Sequence, residues 1–324
     1  MNYSRYLLLV LSIISMMFCG CNSRSTSSVI VERQFPLPTV PALYSSGEQA
    51  RYYIAEHYWD ILFGSKYIYS VGDTTKVAGM SANVFESAFV NYVALLNTLP
   101  IENSILQQRR LFERAEQKEI LNREDNIFEA VVELSEKYLY GPNSPYRCED
   151  LYTPIVEGLA VSKCATDTQT IEAKNLLPKI SLNRIGTKAN DFEFTLRKGT
   201  KKSLYGVKSD YIIVLFSNPG CSNCLDFIEA IKSIPNIDQL ISSNRLAVVN
   251  VFPDADINEW FGYSSIYPKN WLNGFDHNQI LNRDSIYNLR AIPSLYLLDS
   301  EKIVILKDAT IESLMAELRN RIVS

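Results

Sequence analysis

The feature that most constrains the fold is a continuous apolar run, Tyr211–Phe216, which is followed by two cysteines, Cys221 and Cys224. Six consecutive apolar residues are typical of a central strand that is covered on both faces. Pro219-Gly220 predicts a sharp turn after that strand, and an apolar helical pattern follows the turn. The sequence therefore places both cysteines at a strand-to-helix junction.

The residues after 179 carry strand and helix patterns in the order β, α, β, α, β, β, α. A β-hairpin precedes them, since Phe192, Phe194 and Leu196 alternate with polar residues ahead of a turn at Lys198-Gly199. This order predicts an α/β domain with a central mixed sheet flanked by helices. The remaining predicted strands are Tyr211–Phe216, Leu246–Phe252, Ser294–Leu298 and Lys302–Leu306, and the predicted helices are Leu225–Ile234, Ile257–Phe261, Ser285–Leu289 and Thr310–Arg321.

The preceding part of the chain, from about Tyr44 to Leu177, has helical periodicity. Apolar residues recur at three- and four-residue steps in three stretches: Val84–Leu99, Ile105–Gln117 and Ile127–Tyr138. Pro154, with Thr153 as N-cap, predicts a further helix that runs to about Ser162. The sequence thus predicts an all-α domain over residues 44–178, followed by the α/β domain over residues 179–324.

The N-terminal residues read as a targeting segment. Arg5 precedes a twelve-residue apolar run, Leu7–Phe18, which as a helix would span only ~18 Å of a ~30 Å hydrocarbon core. A signal peptide over residues 1–20 and a polar tether over residues 21–43 are predicted. Phe18-Cys19-Gly20-Cys21 resembles the lipobox of bacterial lipoproteins, which implies lipidation of Cys21 and a lipid-anchored protein facing the periplasm. A plain signal peptide is the alternative.

The spacing of Cys221 and Cys224 is suited to thiol chemistry, because two cysteines three positions apart can close a disulfide over one helical turn. At a helix N-terminus the backbone N–H groups and the macrodipole stabilise a thiolate, so Cys221 is the predicted nucleophile and Cys224 the resolving thiol. A zinc site would need further ligands that the sequence does not supply nearby, so no metal is predicted. An inert structural disulfide stays an alternative.

A second motif, Arg290-Ala291-Ile292-Pro293-Ser294, precedes an apolar strand. Together with the cysteine pair it resembles thioredoxin, and the hairpin over 191–196 resembles the TlpA-like branch of membrane-tethered thioredoxins. The resemblance implies that Pro293 is a cis-proline beside the active-site sulfurs and that Ile292 contacts the substrate chain. Gly220 stands where the family usually has Trp, and Leu215 where many members have a buried acid. Asp191 or a water molecule would then have to act as the base.

The helical half resembles a domain of unknown function that precedes thioredoxin-like domains in lipoproteins of some Gram-negative bacteria. The likeness is carried by residues 55–60, 136–140 and 142–145. It implies a helical fold and no activity. Two more cysteines, Cys148 and Cys164, lie in this half; a helix between them would hold them about 20 Å apart, so no disulfide is expected between them.

These features predict a membrane-anchored thiol–disulfide oxidoreductase that acts on thiols or disulfides of exported proteins and is recycled by a thiol relay. No cofactor is needed, because the dithiol itself carries two electrons. The net charge of −4 gives no electrostatic basis for nucleic-acid binding. A peroxiredoxin is excluded, since Asn218 and Val214 replace the Thr and Pro of its motif. The rival hypothesis is a binding or scaffold lipoprotein whose thioredoxin-like domain holds a static disulfide.

Overall fold

The computed structural model describes residues 33–323 except 45, 65, 67, 70, 71, 74 and 122–124. The predicted signal peptide, the first part of the predicted tether and Cys21 lie outside the described residues. Within the described part of the chain, no helix combines the length and the apolar character that crossing a bilayer requires.

The first half of the described chain is a helical region with one short hairpin. Ser81 and Thr166 cap two of its helices by accepting hydrogen bonds from backbone N–H groups, and Thr166 does so within a capping box with Gln169. Its elements are α1 (Gly47–His57), α2 (Asp60–Phe63), β1 (Lys76–Val77), β2 (Met80–Ser81), α3 (Ala82–Leu96), α4 (Ile101–Leu121), α5 (Ile127–Ser135, continued by a π-helical turn over Glu136–Tyr140), α6 (Glu149–Leu159) and α7 (Asp167–Ile180).

Aromatic side chains form much of the core of the helical region. Trp59 and Tyr92 are both buried and pack edge to face, with ring centroids 5.3 Å apart. Phe35, from the predicted tether, packs against Trp59 and stacks on Tyr58 with ring centroids 5.1 and 5.2 Å apart respectively. The packed part of the chain therefore begins before the predicted boundary at residue 44.

The second half is a sheet region of seven strands flanked by helices. The strand order is β4-β3-β7-β6-β5-β8-β9; β5, β6 and β7 are parallel, and the remaining pairings are antiparallel. Its elements are β3 (Glu193–Leu196), β4 (Lys201–Ser203), β5 (Tyr211–Phe216), α8 (Ser222–Lys232), α9 (Ile237–Ser242), β6 (Leu246–Phe252), α10 (Ile257–Tyr263), β7 (Leu272–Phe275), α11 (Ile280–Arg283), β8 (Ser294–Asp299), β9 (Val304–Leu306) and α12 (Ile311–Leu318, continued by a π-helical turn over Arg319–Val323).

Strand β5 is central, and its continuous apolar run is explained by two hydrophobic cores. Ile213 and Leu215 pack with α8 and α12 on one face of the sheet. Ile212, Val214 and Phe216 pack on the other face with Phe192, Phe194 and Tyr287 as neighbours. Because successive side chains of a strand point to opposite faces, both faces require apolar residues. The predicted mixed sheet with flanking helices is confirmed.

One predicted helix begins at a different residue, and a second predicted helix is absent. The helix predicted to open at Pro154 begins at Glu149, and Pro154 lies inside it; the Thr153 hydroxyl donates to the Glu149 carbonyl instead of capping the helix. The segment 285–289 is not helical, because the Ile286 carbonyl accepts hydrogen bonds from the side chains of Asn183 and Asn190. Tertiary hydrogen bonds have replaced the helical ones there.

Candidate functional site

The two cysteines lie at the start of α8, where β5 ends. Cys221 is the N-cap residue of α8, and its Sγ accepts a hydrogen bond from the backbone N–H of Cys224 at 3.3 Å. This N–H is one of the unsatisfied donors at a helix start, so the sulfur takes the place of the usual Ser or Asp oxygen. The geometry is suited to stabilising negative charge on Cys221.

The two sulfurs differ in access to solvent. Cys221 is half-buried, whereas Cys224 is only 1% exposed. Burial raises the pKa of the Cys224 thiol to about 12, and its hydrogen bond with Cys221 adds to that shift. An incoming disulfide can therefore reach Cys221 first, while Cys224 is protonated and shielded. The two thiols are not bonded to each other in this structure.

The segment before β8 lies beside the cysteines. The peptide bond between Ile292 and Pro293 is cis, and the carbonyl oxygen of Ile292 lies 4.0 Å from Sγ of Cys221. Pairing of Phe216 with Ser294 brings the end of β5 next to the start of β8, which explains this proximity. Ile292 and Pro293 are both half-buried, so part of each is open to a ligand.

The turn before Cys221 depends on Gly220. Its φ of +69° lies in the left-handed region that disfavours other residues, and a Cβ built there would meet only Tyr263, whose hydroxyl would be 3.6 Å away. Conformation, rather than lack of space, therefore explains why a glycine occupies this position. An aromatic residue here would have to adopt an unfavourable backbone geometry.

The side chain named from the sequence as an alternative base, Asp191, is not among the groups that act on the Cys224 thiol. Leu215 is fully buried at the position of the family's acid. Asp191 is exposed and accepts a hydrogen bond from the backbone N–H of Tyr205 at 2.9 Å, on the hairpin side of the domain. The groups that act on the Cys224 thiol are Cys221 and the backbone of Asn218. Asp191 is thus engaged with the hairpin, and its part as a base stays a prediction.

A buried polar chain that sequence reasoning missed lies below the cysteines. Tyr267 is hydrogen-bonded to Ser217, and the Ser217 hydroxyl donates to Oδ1 of Asn250 at 2.6 Å. Asn250 in turn donates to Oδ1 of Asn273 at 3.2 Å. Burial raises the pKa of Tyr267 to about 12, and the charges of both cysteines contribute to the shift. Tyr267 is thus a neutral hydroxyl close to the dithiol.

The structure brings two of the predicted site groups together, the cysteine pair and the Ile292–Pro293 segment. Cys148 and Cys164, the two cysteines of the helical region, form no disulfide with each other in this structure. Among the described residues, no cluster of three or more His, Cys, Asp or Glu side chains is arranged to hold a metal ion. The functional groups described at this site are thiols, backbone N–H and carbonyl groups, and hydroxyls.

Several solved structures are similar to this chain. A crystal structure of a thioredoxin-like protein from Bacteroides caccae is 34% identical, with a TM-score of 0.76, and the match covers 89% of this chain and 99% of that one. The C-terminal domain of an uncharacterized Bacteroides fragilis protein is 40% identical, with a TM-score of 0.41 and coverages of 42% and 97%. The thioredoxin domain of a thiol-disulfide oxidoreductase from Bacteroides vulgatus is 17% identical, with a TM-score of 0.36 and coverages of 42% and 96%.

No protein of curated function is significantly similar to the chain. Residues 20–183 match the family described as Domain of unknown function (DUF5106). This match covers the helical region and ends just before the sheet region begins. The chain is thus a member of the DUF5106 family that carries a thioredoxin-like domain after the family's helical domain.

Proposed function

We propose that the thioredoxin-like domain is a thiol–disulfide oxidoreductase with Cys221 as the attacking thiolate and Cys224 as the resolving thiol. The observation that carries the proposal is the placement of Cys221. The residue is half-buried, its sulfur accepts a hydrogen bond from the Cys224 N–H, and the sulfur lies 4.0 Å from the Ile292 carbonyl oxygen. A nucleophile, a shielded second thiol and an open backbone segment are the parts that disulfide exchange requires.

The reaction balances without a cofactor. The Cys221 thiolate attacks one sulfur of a substrate disulfide, which forms a mixed disulfide and releases one substrate thiolate. Cys224 loses its proton and attacks Sγ of Cys221, which forms the Cys221–Cys224 disulfide and releases the second substrate thiolate. Two electrons and the Cys224 proton pass to the substrate. The same steps in reverse oxidise a substrate dithiol.

Trapping tests this mechanism. In the Cys224→Ala variant, Cys221 should hold a disulfide substrate as a stable mixed disulfide, which non-reducing electrophoresis and mass spectrometry detect. In Cys221→Ser the trapped species should be absent. Cys148→Ala is the matched control, because Cys148 is a thiol outside the site whose pKa burial also raises to about 12. Exchange that persists unchanged in Cys221→Ser would refute the mechanism.

The rival, a scaffold with a static disulfide, is distinguished by redox titration of the cysteine pair. A reduction potential between about −120 and −270 mV indicates an exchanging pair, and one below about −300 mV indicates a structural bridge. We expect the first result, because the Cys221 sulfur is open to an incoming thiol.

The proposed cellular setting rests on the N-terminal sequence. Cys21 would be lipidated, which would hold the domain at a membrane of the cell envelope on its periplasmic side. Its substrates would be exported proteins with thiols or disulfides, and a thiol relay would recycle it. Incorporation of labelled palmitate into the wild-type chain, and its loss in Cys21→Ser, tests the anchor.

A further inference from the structure

The helical domain contacts the thioredoxin-like domain through buried charges. Glu149, the first residue of α6, has a side chain only 2% exposed; its carboxylate lies 3.0 Å from Nε of Arg290 and 2.7 Å from Nζ of Lys307. The side chains of Arg290 and Lys307 are 8% and 3% exposed. Burial raises the pKa of Glu149, and the charges of Lys307 and Arg290, together with the position at a helix N-terminus, counteract that shift. One carboxylate of the helical domain thus pairs with two cations of the other domain.

Arg290 links this pairing to the substrate segment. Its guanidinium lies 4.1 Å above the ring of Tyr140 and also donates to the Tyr140 carbonyl and to the carboxylate of Asp308. Asp308 accepts a second hydrogen bond, from the Ser294 hydroxyl at 3.2 Å. Arg290 and Ser294 flank Ile292–Pro293 on its two sides, so the same carboxylate binds both ends of the segment.

The backbone between those two anchors is left open. Among the described residues, neither the N–H nor the carbonyl of Ile292 is hydrogen-bonded to another backbone group. An open backbone segment binds an extended peptide more tightly when its position is fixed in advance, since ordering it on binding would cost affinity. Here the fixing groups are Arg290 and Asp308, and Arg290 is held in turn by Glu149 and Tyr140.

We propose that the helical DUF5106 domain acts as a positioning element for peptide substrates: Glu149, through Arg290, fixes the Ile292–Pro293 segment beside Cys221. The inference rests on the proposed disulfide exchange and assigns the helical domain a part in it. Glu149 is a positioning residue, because it acts through Arg290 and touches neither the cysteines nor, in this proposal, the substrate.

A neighbouring pair provides a matched control. Asp150 follows Glu149 in the same helical turn, its side chain is 6% exposed, and it pairs with Arg184 at 3.3 Å. Its ion-pair partner lies in the connection between the domains and not in the 290–294 segment. Glu149→Gln and Asp150→Asn each remove one buried carboxylate charge without a change in side-chain size. They differ in the cations that lose a partner, which are Arg290 and Lys307 for Glu149→Gln and Arg184 for Asp150→Asn.

The experiment compares two substrates in the full chain. One is a disulfide-linked pair of short peptides, which can lie along Ile292, and the other is bis(2-hydroxyethyl) disulfide, which offers little beyond its sulfurs. Glu149→Gln should lower kcat/KM for the peptide disulfide about tenfold relative to the small disulfide, mainly through KM. Asp150→Asn should leave that ratio unchanged. Arg290→Lys, which keeps the charge and loses the planar fork, should act in the same direction as Glu149→Gln.

The outcomes separate the two proposals. Wild-type protein without Cys221-dependent exchange of either disulfide would refute the proposed function. Active wild type whose substrate ratio is unchanged in Glu149→Gln, or falls equally in Asp150→Asn, would refute the positioning role alone. Hydrogen exchange of the Ile292 and Ser294 amides gives a readout that needs no activity: exchange should quicken in Glu149→Gln and Arg290→Lys and not in Asp150→Asn.

Discussion

The burial of Cys224 makes a quantitative prediction about its reactivity. Its pKa is raised from an ordinary value of 9.0 to about 12, chiefly by burial. At pH about 8 the ionised fraction therefore falls from about one in ten to about one in ten thousand, a thousandfold loss worth about 4 kcal/mol. Since only the thiolate is alkylated, iodoacetamide should modify Cys224 about a thousandfold more slowly in the folded chain than in the unfolded chain.

The assay uses the Cys221→Ser variant, because burial, the largest cause of the shift, is retained there. Peptide-resolved mass spectrometry follows alkylation of Cys224 between pH about 7 and 10, with the same variant in concentrated urea as the control. The folded rate should rise about tenfold per pH unit over the whole range. Steric shielding would lower the rate at every pH but would not change this slope, so a folded rate that levels off near pH 9 would refute the reasoning.

The same shift has a consequence for stability. The folded chain holds the Cys224 proton more tightly than the unfolded chain, because the raised pKa belongs to the folded state alone. The contribution of this thiol to stability is therefore complete below pH about 9 and is lost as the pH rises towards 12.

Two substitutions test the surroundings of the dithiol. Gly220→Ala should lower the free energy of unfolding by about 1 kcal/mol, because φ is +69°, whereas the nearest atom to the new Cβ, the Tyr263 hydroxyl, is 3.6 Å away and does not clash. Gly220→Asn should lower the free energy of unfolding by less, as measured by urea unfolding. Equal losses for the two variants would contradict the conformational explanation. Ser217→Ala removes the donor to Oδ1 of Asn250 and a partner of Tyr267, and should cost about 1–3 kcal/mol in the same measurement. An unchanged free energy of unfolding would show that other groups satisfy the hydrogen-bonding needs of Asn250 and Tyr267.

The central strands could be predicted from the sequence because their environment demands one kind of residue. Tyr211–Phe216 and Leu246–Phe252 are strands in the structure with the predicted bounds, since both faces of each are covered by apolar cores. Strand β7, Leu272–Phe275, could not be predicted in this way, because Asn273 and Gly274 lie in its middle. A Cβ at Gly274 would lie 2.7 Å from the Phe194 ring, so close packing against β3 requires the glycine.

The site shows the same division between local and distant information. The position of Cys221 at a helix N-terminus follows from residues close to it in the chain, and the sequence alone predicts that position, although not that Cys221 is the N-cap residue. The partners of the Ile292–Pro293 segment are different: Arg290 is a charge in an apolar stretch, which marks it as unusual, but its carboxylate partner Glu149 is 141 positions away. Nothing in a single sequence indicates which distant charges will pair in the folded chain.

The chemistry of the domain contact argues that geometry, rather than adhesion alone, is being specified there. Exposed ion pairs such as Arg109–Glu157, whose side chains are 42% and 38% exposed, contribute about 0–1 kcal/mol at little desolvation cost. The side chains of Glu149, Arg290 and Lys307 are at least nine-tenths buried. There desolvation offsets most of the attraction, and apolar residues of similar size would hold the two domains together at least as well.

Apolar contacts tolerate sliding and rotation, whereas a charge held by a carboxylate, a carbonyl and an aromatic ring at once has one low-energy position. The charge fixed in this way belongs to Arg290, which lies two residues before Ile292 in the chain. If adhesion were the only role, replacing Glu149, Arg290 and Lys307 together with apolar residues would preserve the docking and the peptide-to-small-disulfide ratio. We expect the triple replacement to preserve the docking and change the ratio.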